Sequence, residues 1–166
     1  MERLWSPWRL AYVSGGEPTG CVFCDAQTDE RAEPLVLFGG ATCFVILNLY
    51  PYNNGHLMVV PRRHVASLAD ASPEEQAELM GLTRASEMAL TEVYHPQGLN
   101  VGMNLGRAAG AGVADHMHIH VVPRWAGDTN FMSVVGNVRV LPEELEHTAA
   151  RLRPVFQKIL KAAAQG

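Results

Sequence analysis

Apolar and polar positions follow a short period along the first third of the chain and then switch to a helical one. Leu35–Phe38 and Thr42–Asn48 are rich in β-branched and aromatic residues, are split by Gly39-Gly40, and read as two strands. His56–Val60 reads as a third, preceded by the reversal signal Asn54-Gly55 and stopped by Pro61. The three predict an antiparallel meander. From Ser72 the pattern changes. Ser72 suits an N-cap, Pro73 the first helical position and Glu75 the far side of a capping box. Leu79, Leu82, Ala85, Ala89 and Val93 then fall on one helical face, and Pro96 and Gly98 end the helix. Leu99–Leu105 and His116–Val122 predict a fourth and a fifth strand, joined by the loop Gly106 to Gly112. A last helix starts near Pro142, with Pro154 expected to kink or break it. Strands, helix, strands and helix in this order give an α+β class.

Composition narrows the partners. At 166 residues the chain predicts one domain, with an irregular segment over 1–20, a core over 21–125 and a helical extension over 126–166. Trp5, Pro7, Trp8 and Arg9 make the first segment one that docks on its own domain or on a partner subunit, or one that forms a lid over a ligand. A net charge of −4 argues against nucleic acid or an anionic membrane as partner. No apolar run reaches the ~18 residues of a membrane span, and Met1–Val13 lacks the apolar stretch of a secretory signal. Three cysteines are too few and odd in number for a disulfide scaffold, which fits a cytoplasmic protein. Cys43 reads as a small buried hydrophobe, whereas Cys21-x-x-Cys24 is either a metal knuckle or a redox pair.

The histidines carry the chemistry. His116, His118 and His120 alternate with Met117, Ile119 and Val121, so a strand would put three imidazoles on one face and three apolar side chains on the other. The apolar face anchors the strand; the imidazole face is expected to meet solvent, ligand or metal. Neighbouring imidazoles would stand roughly 6.5–7 Å apart at Cβ. That spacing serves a metal held by two or three of them, or a nucleophilic imidazole with a neighbour on the phosphate oxygens. The preceding loop, Gly106-Arg107-Ala108-Ala109-Gly110-Ala111-Gly112, is small enough for its backbone N–H groups to approach an anion.

These residues resemble a known family. His116-Met-His118-Ile-His120-Val-Val is similar to the signature of the histidine triad superfamily of nucleotide hydrolases and transferases. Asn48, Asn54-Gly55-His56-Leu57-Met58-Val59-Val60-Pro61 with His64, and Gly102-Met103-Asn104-Leu105-Gly106 resemble its upstream motifs. The flanks Trp5-Ser6-Pro7-Trp8-Arg9 and Val122 to Met132 resemble its bacterial diadenosine tetraphosphate phosphorylase or hydrolase branch.

The resemblance implies a five-stranded antiparallel sheet with a main helix packed on it, and a homodimer or higher homo-oligomer. It implies cleavage of a dinucleoside polyphosphate at the α-phosphorus through a nucleotidyl-His118 intermediate, with phosphate or water as acceptor and no organic cofactor. His120 and His56 would act on the phosphate side. Asn48 would contact ribose and Met58 the base, with Asn104, Gly106, Gly112 and Val113 around the phosphates. Val113 stands where some branches carry a hydroxyl residue, so backbone N–H groups of Gly112 and Val113 would serve instead. The resemblance also pairs Cys21 and Cys24 with His64 and His116 as a closed structural zinc site. Three other outcomes stay open: a zinc hydrolase with the triad as ligands, an adenosine phosphoramidase, and a nucleotide sensor without turnover.

Overall fold

In the computed structural model, residues 20–28, 35–128, 143–163 and 165 are described. The Trp5–Trp8 segment, Thr129–Met132 and the predicted helix start at Pro142 lie outside them. A one-turn helix α1 (Val22–Asp25) precedes β1 (Val36–Gly39), β2 (Cys43–Leu47) and β3 (Leu57–Pro61). The long helix α2 (Pro73–Tyr94), β4 (Gly98–Gly102), β5 (Ile119–Arg124) and helix α3 (Leu145–Ala163) follow. The strands form one sheet in the order β1-β2-β3-β5-β4, with every neighbouring pair antiparallel. This is the expected α+β architecture, including the meander.

Local sequence accounts for most of it. Ser72 and Glu75 form the reciprocal capping box at the start of α2, and Pro73 occupies its first turn. The Glu75 carboxylate also takes a bidentate pair from Arg63 at 3.0 and 2.8 Å, which joins the helix start to the loop after β3. The helix stops on His95, which adopts a left-handed conformation (φ 47°) just before Pro96. β2 and β3 are buried at every position because the sheet is covered on both faces. Cys43, Val45, Leu47, Leu57 and Val59 pack on α2 and α3 through Leu79, Leu82, Leu90, Leu152 and Phe156. The alternate residues Phe44, Ile46, Met58 and Val60 form a second cluster closed by Phe23 of α1.

Three expectations are corrected. β5 begins at Ile119, so His116 and His118 precede the strand. Met117 N–H donates to Val65 O at 2.7 Å in the loop after β3, and the ladder with β3 starts only at Val59↔Ile119. Alternation survives without the ladder: Met117, Ile119 and Val121 still point into the main core. β4 ends at Gly102 rather than Leu105, its last partner on β5 being His120. Helix α3 runs through Pro154 unbroken. Leu152 and Phe156, on either side of the proline, are fully buried in the core and hold the helix across the missing N–H.

Candidate functional site

The second face of the sheet carries the chemistry. Met58 of β3 lies directly opposite His120 of β5, so the two side chains share the face that Phe23 covers. Of the three expected surroundings of the imidazole face, solvent, ligand or metal, solvent is largely shut out. His116 is wholly buried, His118 is 5% exposed, and only His120 keeps a partial opening. Phe23 does much of the closing: its ring centroid is 4.8 Å from that of His118 and 5.4 Å from that of His116. Sequence reasoning gave Phe23 no role. Its position between Cys21 and Cys24 was the available signal.

Backbone carbonyls fix the hydrogens on two of the rings. A carbonyl oxygen only accepts, so the ring nitrogen beside it must carry hydrogen. His116 Nε2–H donates to Pro61 O at 2.8 Å, which leaves a lone pair on Nδ1. That Nδ1 lies 3.2 Å from Cys21 Sγ and 3.7 Å from Cys24 Sγ, and Cys24 Sγ is 3.4 Å from His64 Nδ1. The four ligand atoms all lie within 4.8 Å of one another. Tetrahedral zinc with ordinary Zn–S and Zn–N bonds would separate sulfur from nitrogen by about 3.6 Å. The set can hold a metal ion: two thiols, two imidazoles, and one lone pair already aimed inward. Among the described residues it is the one group of three or more His, Cys, Asp or Glu close enough to share an ion. His118 and His120 belong to no such group, which argues against the triad as a metal-ligand set. Burial pushes the Cys24 thiol up, and the neighbouring Cys21 adds to that. Cys43 is buried among apolar neighbours as expected, with its thiol pushed up to about 11.

His118 is tied in the opposite sense. Its Nδ1–H donates to His116 O at 3.0 Å, so Nε2 holds the lone pair. Burial pushes its basicity below the ordinary imidazole range, against the pull of that carbonyl, and the ring stays neutral at pH 7. Its ring centroid is 4.7 Å from that of His120 in an edge-on arrangement. Burial, then the charge of His118, pushes His120 down to about 4. Tyr52, a residue that sequence reasoning left in the loop, stacks on His120 at 5.8 Å and lies 4.6 Å from His56.

The remaining predicted residues fall around this centre. His56 is 0% exposed, with Nδ1 facing Tyr52 N–H at 3.0 Å and Nε2 facing His120 Nδ1 at 2.9 Å. It is enclosed by protein, with both ring nitrogens facing neighbouring groups. Asn48 accepts Tyr50 N–H at 2.9 Å and places Nδ2 3.3 Å from His56 Nδ1. Each end of its amide has a second hydrogen-bonding valence beyond these two contacts. Met58 packs with Phe23, Phe44, Ile46 and Val60, and Val113 leans on that same cluster. Asn104 Nδ2 donates to Gly110 O at 3.3 Å and so latches the glycine loop. Gly106 and Gly110 have φ of 84° and 88°, a conformation that disfavours side chains. A Cβ added at Gly102, the β4 partner of His120, would meet nothing within 4 Å, so open space flanks His120 on the β4 side; Gly106 and Gly112 likewise border open space.

Residues 31–127 match the model of the HIT domain. The chain belongs to the HIT domain family. Over 157 residues this HIT protein is 41% identical to an AP-4-A phosphorylase of Mycobacterium tuberculosis, covering 89% of this chain and 80% of that one. It is 28% identical over 129 residues to a bis(5′-adenosyl)-triphosphatase of Dictyostelium discoideum, covering 74% of this chain and 86% of the relative. Among solved structures, a Zn-bound histidine triad family protein from Mycobacterium smegmatis superposes with a TM-score of 0.70 at 31% identity, covering 86% of this chain and 97% of the other. Among the described residues, no helix of this HIT protein is long and apolar enough to cross a membrane.

Proposed function

We propose that this HIT protein cleaves dinucleoside polyphosphates of the diadenosine tetraphosphate type by transferring a nucleotidyl group through His118. The observation that carries the reading is the tethering of His118 Nδ1–H to the His116 carbonyl, which leaves a neutral, largely buried Nε2 lone pair as nucleophile. That nitrogen attacks the α-phosphorus. The bond from phosphorus to the bridging oxygen breaks, its electron pair leaves with ATP, and AMP stays on His118. Inorganic phosphate then attacks the same phosphorus, releases ADP and restores the imidazole; water in its place would release AMP. The similarity to an AP-4-A phosphorylase supports phosphate as acceptor.

The other predicted residues take supporting roles. His120 lines the phosphate side. Phe23, Met58 and Val113 supply an apolar surface for the base, and Asn48 a ribose contact. Asn104 shapes the loop in which Gly106, Gly112 and the backbone of Val113 meet the phosphates. Cys21, Cys24, His64 and His116 would hold zinc as a closed Cys₂His₂ set, and a fully ligated zinc has no position left for substrate. A homodimer or higher homo-oligomer is supported by β4, an edge strand whose Val101 is 51% exposed.

Purified protein incubated with diadenosine tetraphosphate, with and without inorganic phosphate, tests the reading. Phosphate-dependent ADP plus ATP is the expected product pair. AMP plus ATP without phosphate would keep His118 and change the acceptor. Absence of turnover would overturn the assignment in favour of a sensor.

A further inference from the structure

Resting on the polyphosphate reading above, we infer that His56 is a positioning residue that holds His120 as a fixed Nε2–H donor, and that this restricts the enzyme to substrates whose leaving group departs as an anion. Counting hydrogens shows why. Asn48 Oδ1 accepts Tyr50 N–H, so the amide is oriented with Nδ2 toward His56 Nδ1, and Tyr52 N–H donates to that same nitrogen. A nitrogen that faces two donors carries no hydrogen of its own. The His56 hydrogen is therefore on Nε2, and it donates to His120 Nδ1 at 2.9 Å. His120 Nδ1 is an acceptor in turn, and the His120 hydrogen is on Nε2. The Tyr52 ring lies against both imidazoles and fixes their planes.

The consequence is chemical. To give its Nε2 hydrogen to a leaving group, His120 would have to gain one on Nδ1 from His56. His56 could not be resupplied, because its other nitrogen faces two donors. His120 thus donates a hydrogen bond and keeps its proton. When His118 attacks a polyphosphate, the bond from the α-phosphorus to the bridging oxygen breaks, the oxygen keeps the pair, and the anion leaves against the His120 N–H. When the scissile bond is P–N, the nitrogen takes the pair and needs a proton to leave as an amine. His120 cannot supply it, His118 Nδ1–H is committed to the His116 carbonyl, and Val113 has no hydroxyl to offer.

The test compares kcat/KM for diadenosine tetraphosphate and adenosine 5′-phosphoramidate on the wild-type protein. A missing general acid is worth about a hundredfold or more, so a preference of that size for the polyphosphate is expected; a smaller one overturns the inference. Turnover of neither substrate would remove the polyphosphate reading itself. Two variants probe His56 directly. His56→Gln offers an acceptor toward Tyr52 and a donor toward His120, so it should keep the preference with less than about a tenfold loss of rate. His56→Glu only accepts; its carboxylate favours a second hydrogen on His120, at Nδ1, while Nε2–H is kept. The imidazolium can then release the Nε2 proton to the amine, and the preference should narrow by about tenfold or more through faster P–N cleavage. An unchanged preference in a folded His56→Glu protein overturns the inference. Should that variant fail to fold, the wild-type substrate pair decides alone.

Discussion

His116 and His118 stand two residues apart, and each gives its one ring hydrogen to a backbone carbonyl. His116 gives it from Nε2 to Pro61, so Nδ1 turns to the thiols of Cys21 and Cys24. His118 gives it from Nδ1 to His116, so Nε2, the proposed nucleophile, keeps the lone pair. Identical side chains thereby present opposite ring nitrogens, one to a set able to hold a metal and one as the proposed nucleophile. The selector is which nitrogen the main chain engages, not the residue type or its exposure, since both rings are buried. Phe23 touches both rings and binds the two regions into one packing unit.

The comparison breaks most sharply at the nucleophile. His118→Ala should lower turnover by about three decades or more, with an unchanged circular dichroism spectrum and unchanged zinc content. Comparable turnover would remove the covalent mechanism. The thiol side should behave differently. Cys24→Ser should lower bound zinc by mass spectrometry and lower Tm by about 5 °C, because a structural metal contributes to folding. Its turnover should fall by only about tenfold, through a looser Phe23. A loss as large as that of His118→Ala without any fall in Tm would move the metal into the reaction.

A third region sharpens the contrast because it touches neither histidine. Glu143 gathers Tyr94, Asn54, Thr148 and Arg151, tying the start of α3 to the loop before β3. Burial opposes its charge, but the bonds from Tyr94, Arg151, Thr148 and Asn54 hold the carboxyl down at about 2. An unfolded glutamate titrates near ~4.3. Its stabilisation is therefore present above that pH and is lost as the pH falls from ~4.3 toward ~2. Glu143→Gln should cost about 1–2 kcal/mol at pH 7, seen as a shift in the urea midpoint that shrinks by pH 3. Its effect on kcat should be less than about twofold.

Legibility followed the range of the interaction. The capping box of Ser72 and Glu75, the meander and the alternation of Met117, Ile119 and Val121 are periodic or local, and the structure has them all. The Cys21, Cys24, His64 and His116 set was legible only through resemblance, because its members come from three separate places in the chain. What stayed hidden depends on distant backbone. No pattern in the sequence says that Pro61 O awaits His116 or that Met117 N–H goes to Val65 rather than into a ladder. The Glu78 carboxylate, which caps Ala41, Thr42 and Cys43 at the β1–β2 turn, gives no sequence signal either. Pro154 misled for a related reason: a local rule yielded to the burial of Leu152 and Phe156.

The wide spread of the thiol–imidazole set has a consequence for biosynthesis. Cys21 is 95 positions from His116, and Cys24 is 40 from His64. On a translating ribosome the two cysteines and His64 emerge well before the fourth ligand. An ion captured early is held by an incomplete set that water and cellular thiols can strip. Secure loading waits until residue 116 has cleared the exit tunnel and β5 has docked on β3. An ion bound there would thus seal a chain that has already found its topology, and nascent-chain pulldowns should recover tightly held metal only from the longer translation intermediates.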